Sequence, residues 1–215
     1  AWIMIGVGGA KITRLLAGTP TLIAAGDFEQ AELRLAASVR QFTLLRGVKL
    51  MCLHQLAMLR HAQARFGDAQ QLAQEVLRQT THGRPSDPRA GLAARLLLAD
   101  AALETGDLAS VYRMLLTLRG LPLDLDEQLQ CERIELEYLA RAEAWDQMLI
   151  ALRQRVELIE LMSPAAAGLG YLLLAIAARR VSQSKLADYL EARARLLVDP
   201  DELAARRPWL RSLLS

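Results

Sequence analysis

The chain has 215 residues, 53% of them hydrophobic and only 5% aromatic, with 26 basic residues against 24 acidic ones for a net charge of +2. That balance gives no electrostatic reason to expect nucleic-acid binding. Ala, Leu and Arg are abundant, alternating Thr/Val-rich stretches are missing, and the length suffices for a sizeable core, so the composition predicts an all-α chain built as one array or one elongated domain.

The first ten residues, Ala-Trp-Ile-Met-Ile-Gly-Val-Gly-Gly-Ala, carry no charge, and Lys11 and Arg14 follow directly. Ten apolar residues are half of the ~20 that a membrane helix needs. Two readings stand for the segment 1–18. In one it is the end of a membrane span, with Trp2, Ile3, Met4, Ile5 and Val7 in contact with lipid, Lys11 and Arg14 on the cytoplasmic side, and Gly6, Gly8 and Gly9 suited to close helix packing. In the other it is an N-terminal helix, ending near Ala17, that caps the repeats. Apolar first and basic second is the reverse of a signal peptide.

Thr19-Pro20 restarts the chain, with Thr as cap and Pro at the first helical position. Apolar spacing with start and stop signals then predicts helices in pairs over about 20–25 and 28–45, 49–63 and 66–80, 89–105 and 108–119, and 126–141 and 144–162. Residues 81–88, with His82-Gly83-Arg84-Pro85 at their centre, read as the longest loop. Ser163-Pro164 opens a helix to about Arg180, Ser182-Gln183-Ser184 is a polar turn, and a further helix ends near Leu197. Asp199-Pro200-Asp201-Glu202 is a capping-box-like start for a C-terminal cap over 199–215. The repeats thus fill 19–198.

Between the paired helices one phrase recurs. It reads Gly26-Asp27-Phe28-Glu29-Gln30-Ala31, Ala64-Arg65-Phe66-Gly67-Asp68-Ala69 and Gly106-Asp107-Leu108-Ala109-Ser110-Val111, with a worn copy at Glu143-Ala144-Trp145-Asp146-Gln147-Met148; the starts are 38, 42 and 37 residues apart. A period in this range marks stacked helical hairpins. A Gly just past a helix takes the left-handed backbone without a Cβ clash. The Asp after it caps the next helix. The apolar residue that follows (Phe28, Phe66, Leu108, Trp145) wedges into the hairpin, and the small residue three positions on lets two backbones approach.

These residues resemble the tetratricopeptide (TPR) repeats, whose pattern has a small residue in the first helix, a Gly-x-aromatic-x-x-Ala phrase at the turn and a Pro near the end. Leu53, Leu56, Ala57, Phe66, Ala69, Ala73 and Pro85 fit it in one copy, and Leu98, Ala99, Gly106, Leu108 and Pro122 in the next. The likeness covers about residues 15 to 195. It departs from the family in a period longer than about 34 residues, in incompletely kept Gly and aromatic positions, and in a fifth copy near Leu174, Leu186 and Leu190 that lacks the turn phrase. The resemblance implies a right-handed α-solenoid of about four to five hairpins with an apolar N-terminal helix.

It also implies a binding face. In TPR-like hairpins the first helices line the concave side, which places His54, Met58, His61, Asp100, Glu104, Arg133, Glu137, Arg141, Tyr171 and Arg179 there. Such a lining suits an extended peptide or a partner helix; an ordinary solvated helix face is the alternative. Arg133, Arg141 and Arg179 are the candidates for gripping an acidic group, because a guanidinium forks onto a carboxylate.

Other chemistry finds little footing. His54 and His61 stand seven residues apart, about 10 Å along a helix, too far for one ion, and no metal or cofactor is expected. Asp124, Asp126 and Glu127 beside Pro122 read as helix-start capping. Gly6-x-Gly8-Gly9 lacks the strand and the Lys-Ser/Thr of a phosphate loop. Cys52 and Cys131 fall inside helical patterns as buried thiols. From Arg179 onward eight basic residues face five acidic ones, a modest bias toward anionic lipid or an acidic partner. No catalytic group of titratable residues converges beyond Glu104 with Arg133 and Arg141, so no enzyme and no small-molecule substrate are expected.

The function expected is therefore a non-enzymatic protein–protein interaction scaffold or adaptor, either membrane-associated or a subunit of a larger complex, in the cytoplasm or at the cytoplasmic face of a membrane. The alternative is the sensor region of a bacterial transcription regulator, although no helix-turn-helix with a basic recognition helix is present.

Overall fold

The computed structural model describes residues 16–40, 46–81 and 88–214. Among them stand thirteen helices and no strand: α1 (Thr19–Ala24), α2 (Phe28–Arg40), α3 (Arg46–Ala62), α4 (Phe66–Thr81), α5 (Pro88–Thr105), α6 (Leu108–Arg119), α7 (Leu125–Arg141), α8 (Trp145–Leu149), α9 (Leu152–Ile159), α10 (Pro164–Arg180), α11 (Ser184–Leu197), α12 (Pro200–Arg206) and α13 (Pro208–Leu214). The all-α expectation holds for them. The apolar stretch with Trp2, Ile3, Met4, Ile5 and Val7, and the loop with Pro85, lie outside the described residues. No helix among those described is long and apolar enough to cross a membrane.

The chain divides into two compact units, Ala1–Arg119 and Gly120–Ser215. In the first, each helix from α1 to α6 packs on the next, and α3 also meets α1 and α5. Its core is a string of small clusters: Leu16, Ala31, Leu35, Val48, Cys52 and Leu59; then Leu50, Val76 and Ala94; then Ala57, Ala73, Leu97 and Leu98. In the second unit α10 is the spine. It packs against α7, α8, α9 and α11, and every residue from Ala167 to Ala178 is buried, as a helix apolar all round must be. Gly168 sits there because a Cβ would come within 2.5 Å of the Val198 side chain.

Five turns share one backbone device. Gly26, Ala64, Gly106, Glu143 and Ser182 hold left-handed φ values of 78°, 58°, 76°, 53° and 63°. Each donates its N–H three residues back (to Ile23, His61, Leu103, Ala140 and Arg179), and the following residue donates five back (to Leu22, Arg60, Ala102, Leu139 and Ala178), at 2.8–3.2 Å. This pair of bonds is the Schellman motif, which satisfies helix-end carbonyls. In every copy the carbonyl after the left-handed residue then accepts the N–H of Ala31, Ala69, Val111, Met148 or Ala187, and all five of those side chains are fully buried. The Asp27 and Asp107 carboxylates cap α2 and α6 by accepting from the Gln30 and Ser110 N–H groups at 3.2 and 3.0 Å. The fifth turn, at Ser182, has the same geometry without the phrase.

Three details differ from the expected elements. The C-terminal cap over 199–215, expected as one helix, is two, α12 and α13. Thr19 is the first residue of α1 rather than its cap, and it is fully buried. The single helix expected over 144–162 is two, α8 and α9, separated by extended Ile150 and left-handed Ala151 (φ 54°). No Gly or Pro marks that break. Tertiary bonds hold it: the Arg155 guanidinium spans Glu132 and Glu135 on α7 at 2.5 and 2.7 Å, while its Nε donates to the Ile150 carbonyl at 3.2 Å.

The turns generate a pair of opposite predictions. Nothing lies within 4 Å of a Cβ added at Gly106, so Gly106→Ala is expected to lose about 1–2 kcal/mol through backbone strain alone. Ala64→Gly removes the same strain and is expected to gain up to about 1 kcal/mol after the entropy of glycine is subtracted. Urea unfolding of the two variants beside the parent checks both signs.

Candidate interaction face

The expected lining residues fall into separate groups, one per unit, with different fates. In the first unit, α3 carries His54, Met58 and His61 on successive turns and α5 carries Asp100 and Glu104. His61 Nε2 stands 3.5 Å from Asp100 Oδ2, so one polar pair joins the two first helices. The Phe66 wedge meets the His61 ring edge-on, centroids 5.2 Å apart. Met58 packs against the Ala57, Ala73, Leu97 and Leu98 cluster. Glu104 is exposed. Burial pushes the His54 imidazole below its ordinary value of 6.5. Gln55, not anticipated as a contact, is buried and donates to the Leu16 carbonyl at 3.1 Å, tying the chain before α1 onto α3. Cys52 and Cys131 are buried free thiols, and among the described residues no three His, Cys, Asp or Glu side chains gather as a metal site requires.

In the second unit Arg133, Glu137 and Arg141 stand at i, i+4 and i+8 along α7, a single stripe of the helix. The capping box of Asp124 and Glu127 starts that helix and fixes its register. Glu137 does not line an open surface as expected: its side chain is 0% exposed. Arg133 Nη1 donates to its Oε1 at 2.8 Å, Arg207 Nη1 donates to its Oε2 at 2.6 Å, and Arg141 Nη2 is 3.6 Å away. The Arg141 guanidinium also lies 4.5 Å over the Trp209 ring, a cation–π contact. Arg207 and Trp209 come from the junction of α12 and α13, 70 residues beyond Glu137, and nothing in the local sequence announces the pairing.

Tyr171 is likewise no lining residue. It is 1% exposed within the α10 spine, its hydroxyl donates to Glu160 at 3.2 Å, and the Arg193 guanidinium covers its ring at 5.1 Å. The physical reason is the all-round burial of α10, which leaves that helix no polar face over this span. Arg179, past the buried stretch, is exposed and bonds Glu191 on α11 at 2.5 Å, an attachment that holds the Glu191 carboxyl below its usual value.

Beside the stripe, between the start of α7 and the start of α10, runs a shallow groove of about 430 Å³ lined by Asp126, Leu129, Gln130, Arg133, Leu161, Met162, Ser163 and Ala166. A tighter slot continues from it past Arg133, Leu136 and Glu137 to Leu169 and Gly170. Arg133 belongs to both, so the only charged side chain they share is already turned toward Glu137.

Comparison with protein-family models, with curated proteins and with solved structures returns no match for this chain.

Removing the central carboxylate leaves three guanidiniums facing one another. Glu137→Ala is therefore expected to lose about 3–5 kcal/mol, whereas Arg153→Ala, whose 94% exposed side chain only meets exposed Glu157, should lose under about 0.5 kcal/mol; urea unfolding measures both.

His54 gives a pH signature. Its folded-state pKa lies below the unfolded one, so at pH values just below 6.5 the unfolded chain holds the extra proton. Stability contributed by the neutral ring is complete above pH 6.5 and declines as pH falls from there. The melting temperature of the parent should drop between pH 7.5 and 5.5, and a His54→Asn variant should show a shallower drop over the same range.

Proposed function

We propose that this chain is a non-enzymatic protein–protein interaction scaffold, a divergent TPR-like array in which the hairpins stack into a right-handed α-solenoid and the first helices of successive hairpins grip an extended peptide or a partner helix. One observation carries the reading: the same two turn bonds, around a left-handed residue, recur at 26, 64, 106, 143 and 182, each followed by a fully buried residue five positions on. A sequence that rebuilds one hairpin five times at this period is behaving as a repeat array. The contacts of α3 with both α1 and α5, and of α10 with α7, support it, since stacked hairpins bring alternate helices together. The polar stripes on α3, α5 and α7 supply the side chains for a partner's backbone and charges. The proposed setting is the cytoplasm or the cytoplasmic face of a membrane, with the uncharged residues 1–10 as the element that would touch lipid.

Two measurements test this. Small-angle scattering should give a radius of gyration above about 20 Å; a value near the ~17 Å of a compact 215-residue globule would sink the solenoid. Affinity capture with the tagged chain, read by mass spectrometry, should recover a protein that is lost when the exposed first-helix residues are reversed in Glu104→Arg and Arg179→Glu. Equal recovery by parent and variants would remove the first helices as the binding face.

A further inference from the structure

The α12–α13 segment lies on the α7 stripe as a ligand would. It leaves α11 through extended Val198 and is made of two seven-residue helices, each far shorter than the roughly 12–15 residues an isolated helix needs to persist in water. Its hold on the rest of the second unit combines apolar packing with two polar anchors. Leu210 and Ala204 enter the core around α10, with Leu203, Trp209 and Leu213 packed against its edge; Arg207 reaches fully buried Glu137, and Trp209 lies under Arg141. This is the anatomy of a peptide hot spot: one guanidinium, one aromatic ring two residues on, and one buried leucine beside them. The fit is also incomplete. Trp209 Nε1 is buried and makes no hydrogen bond, and an unsatisfied buried donor is a standing cost that a better-matched occupant avoids.

We propose that α12–α13 is a self-ligand that covers the α7 recognition stripe, and that the stripe's external partner is a peptide segment of the same chemistry, an Arg followed at the second position by an aromatic residue, which competes with it. The inference rests on the scaffold reading and names the partner class for this one face. Glu137 is the specificity element: its buried carboxylate accepts a guanidinium, and the flanking Arg133 and Arg141 orient it. Arg141 stacks on the aromatic ring that follows. A tethered copy competes at the high effective concentration of a linked segment, so the parent chain holds the site closed and an external peptide must overcome that advantage.

The test uses a fluorescein-labelled synthetic peptide of residues 199–214 and the full chain. An Arg207→Ala/Trp209→Ala variant, which keeps Leu210 and Ala204 in the core, should bind the peptide at least tenfold tighter than the parent by fluorescence anisotropy. A peptide carrying the same two alanines should show no such gain. Hydrogen exchange on the unaltered parent supplies an independent reading: the α12–α13 amides should exchange at least tenfold faster than those of the α10 spine, because a self-ligand opens without unfolding its site. A folded variant that binds no better than the parent, or α12–α13 amides protected as strongly as α10, overturns the proposal and makes the segment a permanent part of the core. A captured partner that depends on Glu104 or Arg179 would survive that result, so the scaffold reading and this inference fail separately.

Discussion

A helix that ends leaves four carbonyls without intrahelical partners, and a helix that begins leaves four amide groups in the same condition. In this chain both ends must be satisfied within about two residues, five times over. The left-handed residue is what makes that possible. It turns the backbone so that two amide groups point back at the finished helix, and the next carbonyl is already placed to accept the first bond of the new one. The first bond of each new helix, and with it the placement of the buried residue that donates it, follows from that one conformation. Where glycine holds it the strain is absent; where Ala64, Glu143 and Ser182 hold it, the packing of Ala69, Met148 and Ala187 must offset a backbone cost of about 1–2 kcal/mol.

The two units use that device to different ends. In the first, apolar contacts are distributed along successive helix pairs, and polar links join them: Arg60 forks onto Glu32, Gln55 donates to the Leu16 carbonyl, and His61 Nε2 stands 3.5 Å from Asp100. In the second, α10 carries no polar face between Ala167 and Ala178. The charges around it pair at its edges: Arg155 with Glu132 and Glu135, Arg193 with Glu160, and Arg179 at the end of α10 with Glu191 on α11. The Arg155 pairs, with side chains only 12% exposed, are screened less than the exposed pairs of Arg193 and Arg179, which makes Arg155 an orienting element for α9.

Local signals carry local structure, and that is where the sequence was legible. Glycine, aspartate and a wedge residue at a fixed spacing mark the turns at 26 and 106, and the weaker copies at 64 and 143 keep enough of the phrase to be read. Ser182 keeps none of it, because a polar residue reaches the left-handed region through its surroundings and leaves no mark in composition. The α8–α9 break is silent for a similar reason: its cause is Arg155 and two glutamates about twenty residues upstream. Arg133, Glu137 and Arg141 were placed on one face by the TPR resemblance, but the burial of Glu137 was not legible, since it depends on Arg207 and Trp209 from a distant segment. Tyr171 shows the converse error, a polar-tipped residue whose ring belongs to the core while its hydroxyl finds Glu160 at the edge.

The Glu137 cluster is a poor device for stability and a good one for selection. Replacing a buried ionic group with apolar side chains of like size is commonly neutral or favourable, because the desolvation of each charge is so large. A carboxylate with no solvent exposure, bracketed by Arg133 and Arg141 one turn to either side, accepts a guanidinium well and rejects a neutral or acidic side chain, for which it would be left without its third partner. That asymmetry acts on any segment lying across α7. The α12–α13 junction satisfies it with Arg207 while leaving the Trp209 donor unbonded. If α12–α13 is a self-ligand as proposed, selection by the site is stricter than the satisfaction this segment achieves there, because a tethered occupant binds without a perfect fit.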